Sequence, residues 1–169
     1  MSANIDDLNP TIICLAETHL ENQEKIEITG YKLYRLDETS YSGGIIIGVQ
    51  NTIKTVVVEL KDYSEIGWIK WILINNGRIA LRLGVVYAPQ ENVTPVKELK
   101  RMYKEIEENA EIAQRERQMI VVVGDFNCKI GKHIKGNKET VTKGGRLLLK
   151  MVRKNNLKIV NASNKTKGI

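Results

Sequence analysis

The stretch Ile120-Val121-Val122-Val123-Gly124-Asp125-Phe126-Asn127 constrains the fold of this 169-residue chain more than any other. Four β-branched apolar residues in a row read as a strand buried on both faces, in the middle of a covered sheet. Gly124 then lets the backbone turn tightly. Asp125 and Asn127 follow at the strand's carboxyl end. A carboxylate and an amide beside a core strand are costly to desolvate unless they bind a metal, a phosphate or a backbone partner. Rigid strand ends are where many sheet enzymes hold reactive groups. An Asp125 that merely begins a turn or caps the next segment accounts for the same residue.

The length suits one domain, 1–169, with a sizeable core. With 42% hydrophobic and 27% charged residues, the composition is that of a globular protein rather than a disordered or fibrous one. A formal net charge of +6 favours an anionic partner, nucleic acid being the usual one. The two cysteines, Cys14 and Cys128, make no disulfide framework and no paired metal-ligand spacing. Both adjoin apolar runs and read as buried, reduced thiols. No apolar run approaches the roughly 18 residues needed to span a bilayer, and no signal-peptide pattern opens the chain. The expectation is an intracellular protein, nuclear or cytoplasmic, with no membrane contact.

Along the chain, residues 1–10 are polar and Pro10 stops any helix there. Thr11 to Ala16 is a second continuous apolar run, hence a second buried strand, and it leads directly into Glu17-Thr18-His19-Leu20. Tyr31 to Leu36 alternates as a half-exposed strand does. Gly43-Gly44 opens Ile45 to Val49; with no Lys-Ser/Thr after it, the pair reads as a turn or bulge rather than a phosphate loop. Ile53 to Leu60, Trp68 to Ile74 and Ile79 to Tyr87 continue the strands. Asn75-Asn76-Gly77 supplies a hairpin turn between the last two.

The period then changes. Thr94 reads as an N-cap with Pro95 at the first helical position. Val96, Leu99, Met102, Tyr103, Ile106, Ala110 and Ala113 recur at helical steps up to Arg115–Gln118. After the opening strand comes a Gly/Lys/Asn-rich loop from Lys129 to Lys143. A second amphipathic helix, Arg146 to Asn155, follows Gly144-Gly145 and turns Leu147, Leu148, Met151 and Val152 inward. Leu157 to Val160 reads as a further short strand. Strands first and helices afterwards argue a mixed sheet of the α/β or α+β kind.

Three apolar runs end in a polar residue of catalytic type: at Glu17, at Tyr87, and at Asp125 with Asn127. On one sheet edge these would form a set of oxygen and amide groups suited to a hard divalent cation. Magnesium takes few protein carboxylates and keeps water or substrate phosphate on its other positions. A second carboxylate can orient or deprotonate water, and an amide and a phenol can donate to phosphate oxygens.

Ala16-Glu17-Thr18-His19-Leu20, Val86-Tyr87-Ala88-Pro89 and Gly124-Asp125-Phe126-Asn127, in that order, resemble the endonuclease/exonuclease/phosphatase family. The similarity runs from about Pro10 onward and is closest to endonuclease domains of non-LTR (LINE-type) retrotransposons. Gly43-Gly44, and Gly145-Arg146 with Leu148, look like that group as well. The resemblance implies a four-layer α/β sandwich of the DNase I-like type and a magnesium-dependent DNA endonuclease, with manganese as a substitute cation. It implies Glu17 as the metal ligand, Asp125 as the group that positions or activates water, Asn127 as the scissile-phosphate ligand and Tyr87 as a phosphate or water partner. Gln90 falls where family members contact DNA near the cut. A reverse transcriptase domain in the same polyprotein is the implied partner.

The family pattern also includes a first strand ending in asparagine, a later Asp and a Ser-Asp-His motif. None of these is in the sequence, and neither His19 nor His133 is placed like the family histidine. The sequence therefore reads as a partial domain, without the first strand and most of the carboxyl-terminal half. Lys129, Lys132, Lys135, Lys138, Lys143 and Arg146 follow Asn127 and suit DNA-backbone contact, or a solvated lysine-rich loop. Lys150, Arg153, Lys154 and Lys158 read as the exposed face of the last helix. An inactive truncated remnant, an abasic-site endonuclease and a phosphoinositide phosphatase are the competing readings.

Overall fold

The computed structural model describes residues 8–21, 24–37, 43–60, 67–131 and 140–161. Within these residues the elements run in the order β1 (Ile12–Ala16), β2 (Tyr31–Leu36), β3 (Ile45–Gln50), β4 (Val56–Glu59), β5 (Ile69–Asn75), β6 (Ala80–Tyr87), α1 (Val96–Arg115), β7 (Met119–Asp125) and α2 (Lys143–Lys154). The strands make two sheets, β1-β3-β2 and β4-β5-β6-β7. All pairings are antiparallel except β6 with β7, which α1 connects as a crossover. A parallel neighbour needs such a connection, because its chain must return to the same end of the sheet.

Alternation along the strands builds two apolar seams. Ile45, Ile47 and Val49 of β3 meet Ile72, Ile74, Leu83 and Val85 between the two sheets. On the other face of the larger sheet, Trp71 and Val86 meet Leu99, Met102, Tyr103 and Ile106 of α1, with Met151 of α2 joining them. The described residues thus form three layers, sheet on sheet on helices. Each fully buried large side chain, such as Trp71 or Ile106, contributes on the order of 1.5–3 kcal/mol.

Helical spacing alone misses one part of the α1 contact. Glu105 and Asn109 lie on its buried face. Trp71 Nε1 donates to Glu105 Oε1 at 2.9 Å, and Arg82 Nη1 donates to Asn109 Oδ1 at 2.8 Å. Arg82 Nε donates to Gln118 at 2.9 Å. The buried guanidinium of β6 is therefore satisfied by α1 and the turn after it, which fixes the helix in register on the sheet.

Several sequence expectations change. Among the described residues β7 is the edge strand of its sheet, not a central one, and Met119 and Val121 are exposed. A groove of about 730 Å³ runs along β7, closed on its far side by Leu148, Met151, Val152 and residues 157–161. Leu157 to Val160 takes no strand conformation and faces β7 across that groove. Among the described residues β1 is likewise an edge strand and leaves Cys14 exposed, while Cys128 is half-buried and accepts a hydrogen bond from the Tyr103 hydroxyl at 3.8 Å. Continuous apolar composition marks strand propensity; strand order, which is non-local, decides burial.

Helix starts differ too. Pro95, not Thr94, holds the N-cap position of α1, and the Thr94 hydroxyl donates back to the Gln90 carbonyl at 2.8 Å. Gly144 and Gly145 lie inside the first turn of α2, whose N-cap Thr142 accepts from the Gly145 amide at 3.2 Å. A side-chain carbon on Gly145 would sit 2.0 Å from the Lys129 carbonyl oxygen. The glycine pair is thus a packing device against the loop after β7.

Among the described residues no helix is long and apolar enough to cross a membrane. His133, Lys132, Lys135 and Lys138 lie outside the described residues.

Candidate active site

Strand register brings the site together. Because β6 and β7 run parallel, their carboxyl ends lie side by side with Tyr87 paired to Asp125. β1 crosses β6 and β7 from the other sheet, and its last residue, Ala16, pairs with Ile45. Glu17 therefore emerges beside the start of β3, where the His19 amide donates to the Gly43 carbonyl at 2.7 Å. Glu17 and His19 both take left-handed backbone, with φ 56° and 50°. For residues with a side chain that conformation costs roughly 1–2 kcal/mol each. Non-glycine strain of this kind clusters at working sites.

The phenol of Tyr87 donates to Glu17 Oε1, joining the two sheets at the surface. Its pKa is pushed up to about 12, chiefly by that bond, then by burial and by the charges of Glu17 and Asp125. The phenol is consequently a proton donor throughout the neutral range. The His19 ring stands next to it. Both rings come within 3.2 Å of the point where a side-chain carbon on Gly43 would sit, so a larger residue at 43 would push apart the mouth of the site.

Asp125 does begin a turn, since its Oδ1 accepts from the Asn127 amide at 2.8 Å. Its second oxygen makes no hydrogen bond to the described residues, and the side chain is exposed. The turn reading and the binding reading are thus compatible. Asn127, also left-handed at φ 44°, donates one Nδ2 proton to the Ala88 carbonyl at 2.7 Å. Its other Nδ2 proton and its Oδ1 remain for a ligand. Between the two, Phe126 points inward and stacks on Tyr103 of α1, with centroids 6.5 Å apart and planes 9° from parallel. Gly124 does not turn the chain. It stays in β7 at φ 126°, where a side-chain carbon would lie 2.0 Å from the Val86 carbonyl oxygen.

The structure therefore groups Glu17, Tyr87, Asp125 and Asn127. Gln90 and Lys129 are exposed on the two loops beside them, and the Gln90 side chain makes no hydrogen bond to the described residues.

One residue that the motifs did not single out ties these loops together. Glu91 accepts from the Gly144 amide at 2.7 Å and the Lys143 amide at 3.3 Å, at the amino end of α2. Burial opposes its ionisation, but these donors and the Thr142 hydroxyl outweigh it and hold the carboxyl below the usual glutamate range. A carboxylate at a helix amino terminus is also favoured by the helix dipole. The only sequence signal for it was a lone acid after Gln90.

Among the described residues no three acidic, histidine or cysteine side chains cluster tightly enough to cage a metal ion by themselves. The available donors, the carboxylates of Glu17 and Asp125, are oxygens. Two carboxylates suit a hard divalent cation such as magnesium, which keeps most of its coordination for water and phosphate, and the His19 ring stands beside them.

The family profile of the endonuclease/exonuclease/phosphatase family matches residues 1–137. The chain belongs to that family. No curated protein matches the sequence. Among solved structures, the fold is similar to the endonuclease domain of TRAS1, a telomere-specific non-LTR retrotransposon, with a TM-score of 0.63 at 16% identity. The alignment covers 93% of this chain and 65% of that one, so the chain spans about two thirds of the length of that relative. The two-sheet α/β architecture is accordingly that of a DNase I-like endonuclease/exonuclease/phosphatase domain.

Proposed function

We propose that the site cleaves phosphodiester bonds in DNA with the help of Mg²⁺, as the nicking endonuclease of a retrotransposon whose polyprotein also carries a reverse transcriptase. The observation that carries this reading is the convergence of Glu17, Tyr87, Asp125 and Asn127 from two sheets onto one exposed rim. Family membership supports phosphodiester or phosphoryl chemistry, and the TRAS1 likeness favours DNA within that class.

Glu17 is the residue that would hold Mg²⁺, which when bound neutralises charge on the phosphate and its leaving oxygen. Asp125 has one oxygen committed to its own turn, which orients the other to accept a proton from an attacking water. Asn127, braced by the Ala88 carbonyl, turns its remaining N–H toward a non-bridging phosphate oxygen. The Tyr87 proton rests on Glu17 and must swing from the carboxylate to reach a phosphate. Gln90 and Lys129 flank the scissile position as DNA contacts.

Supercoiled-plasmid nicking with Mg²⁺, run beside Glu17→Ala and Asp125→Ala, tests the reading. Nicking by the unaltered chain alone supports it. Equal background in all three proteins overturns it in favour of an inactive domain, and cleavage confined to an abasic oligonucleotide moves the assignment to repair.

A further inference from the structure

Helix α2 differs from α1 in how its charges are balanced. On α1, Arg101 pairs with Glu98 at 3.0 Å and Lys104 with Glu108 at 3.3 Å. α2, Lys143–Lys154, contains no acidic residue. Its inward residues Leu147, Leu148, Met151 and Val152 pack on the apolar seam. The cation nearest α1, Lys154, is matched by Glu107 at 2.7 Å. Lys143, Arg146, Lys150 and Arg153 are exposed and recur three and four residues apart, so they lie in a row on the helix. None of the four forms an ion pair with a described residue. Arg146 instead donates Nη1 to the Val141 carbonyl at 3.0 Å, which fixes the guanidinium without placing an acidic partner against it among the described residues.

Two further features separate this row from an ordinary solvated face. Arg146, Lys150 and Arg153 line an open concavity of about 400 Å³ together with Val141 and Leu149. The row also starts at the site. Thr142 and Lys129 exchange hydrogen bonds two residues beyond Asn127, with the Lys129 amide donating to Thr142 Oγ1 at 3.1 Å and the Thr142 amide donating to the Lys129 carbonyl at 3.0 Å. Glu91 holds the same helix end against the Gln90 loop. With about 1.5 Å of rise per residue, the row extends roughly 15 Å away from that junction.

We infer that the Lys143-Arg146-Lys150-Arg153 row of α2 is a binding surface for the phosphate backbone of duplex DNA, holding the strand that leads away from the cleaved bond. The inference rests on the DNA reading given above and adds a specific surface to it. Contacts of this kind supply sequence-independent affinity through counterion release, about 0.9 unit of salt slope per phosphate neutralised.

The test is fluorescence-anisotropy binding of a labelled duplex across a salt series, with wild type, Lys150→Gln/Arg153→Gln, and a charge-matched control on α1, Arg101→Gln/Lys104→Gln. The α2 double variant should lower the slope of log affinity against log salt by about 2 and weaken binding on the order of tenfold near physiological salt. The control should leave the slope unchanged. Equal slopes for wild type and the α2 variant overturn the surface while leaving the DNA reading standing. A parallel loss in the α1 control overturns it as well, by showing that only net charge matters. No salt-dependent binding by any protein overturns both the surface and the DNA reading.

Discussion

Tyr87 and Glu17 meet at the rim where the two sheets come together, the phenol donating its hydrogen bond to the carboxylate. One partner ends β6 in the larger sheet and the other follows β1 in the smaller. Tyr87→Phe removes the donor without disturbing the ring. Hydrogen bonds to charged groups are worth about 1.5–3 kcal/mol, so nicking should slow roughly ten- to a hundredfold. The melting temperature should barely move, because the pair is at the surface. A single-turnover rate within twofold of wild type would show that the phenol plays no part in the reaction.

Gly124 should tolerate no side chain. Alanine there would meet the Val86 carbonyl at 2.0 Å in a backbone at φ 126°. The clash falls on the parallel β6–β7 ladder that sets Tyr87 beside Asp125. Gly124→Ala should cost more than about 3 kcal/mol in urea unfolding. Gly77→Ala, at φ 82° with nothing within 4 Å, should cost only about 1 kcal/mol. Similar losses at both positions would refute the close-approach argument.

Asn109 should behave as a structural acceptor rather than a tolerant helix position. Asn109→Leu leaves the Arg82 guanidinium with a missing buried partner. Stripping an acceptor from a buried charge costs about 2–4 kcal/mol. A urea midpoint equal to wild type would mean that Gln118 and the carboxylate of Glu116, 3.7 Å from Arg82 Nη2, suffice for Arg82.

Acid should release the Glu91 bridge. Its carboxyl titrates below the ordinary 4.5 when folded. The bridge therefore contributes fully above pH 4.5 and is lost as pH falls through the lower folded value. In an NMR titration the Gly144 amide proton should shift with a midpoint under 4.5, and the same resonance should be flat in Glu91→Gln. A midpoint at or above 4.5 would contradict the assignment.

The local parts of the fold were readable from sequence. Tyr31–Leu36 alternates and is β2 to the residue. Asn75, Asn76 and Gly77 make the turn between β5 and β6, with both asparagine side chains accepting backbone amides. The apolar runs ending at Glu17, Tyr87 and Asp125 are strands, and the polar residues at their ends do converge. Strand order was not readable, because nothing within Ile120–Val123 states which neighbours it lacks. Buried polar contacts escaped for a related reason. Glu105 and Asn109 take their meaning from Trp71 and Arg82 in a distant strand. Glu91 likewise takes its meaning from a helix end about fifty residues later, and His19 from its place over Gly43 beside the Tyr87 ring.

The exposed edge of β7 bears on how this protein behaves in concentrated solution. Among the described residues no strand pairs with the outer side of β7, so this seven-residue strand, with Met119 and Val121 exposed on it, presents backbone amides and carbonyls along the groove to an extended chain. Self-association should thus be second order in protein and insensitive to salt, since hydrogen bonds and apolar contact rather than charge would drive it. Turbidity onset in a concentration series would then shift upward with Val121→Lys, a change about 14 Å from Asp125 along the strand. Handling of the protein, and not only its chemistry, is written into the same strand that carries Asp125.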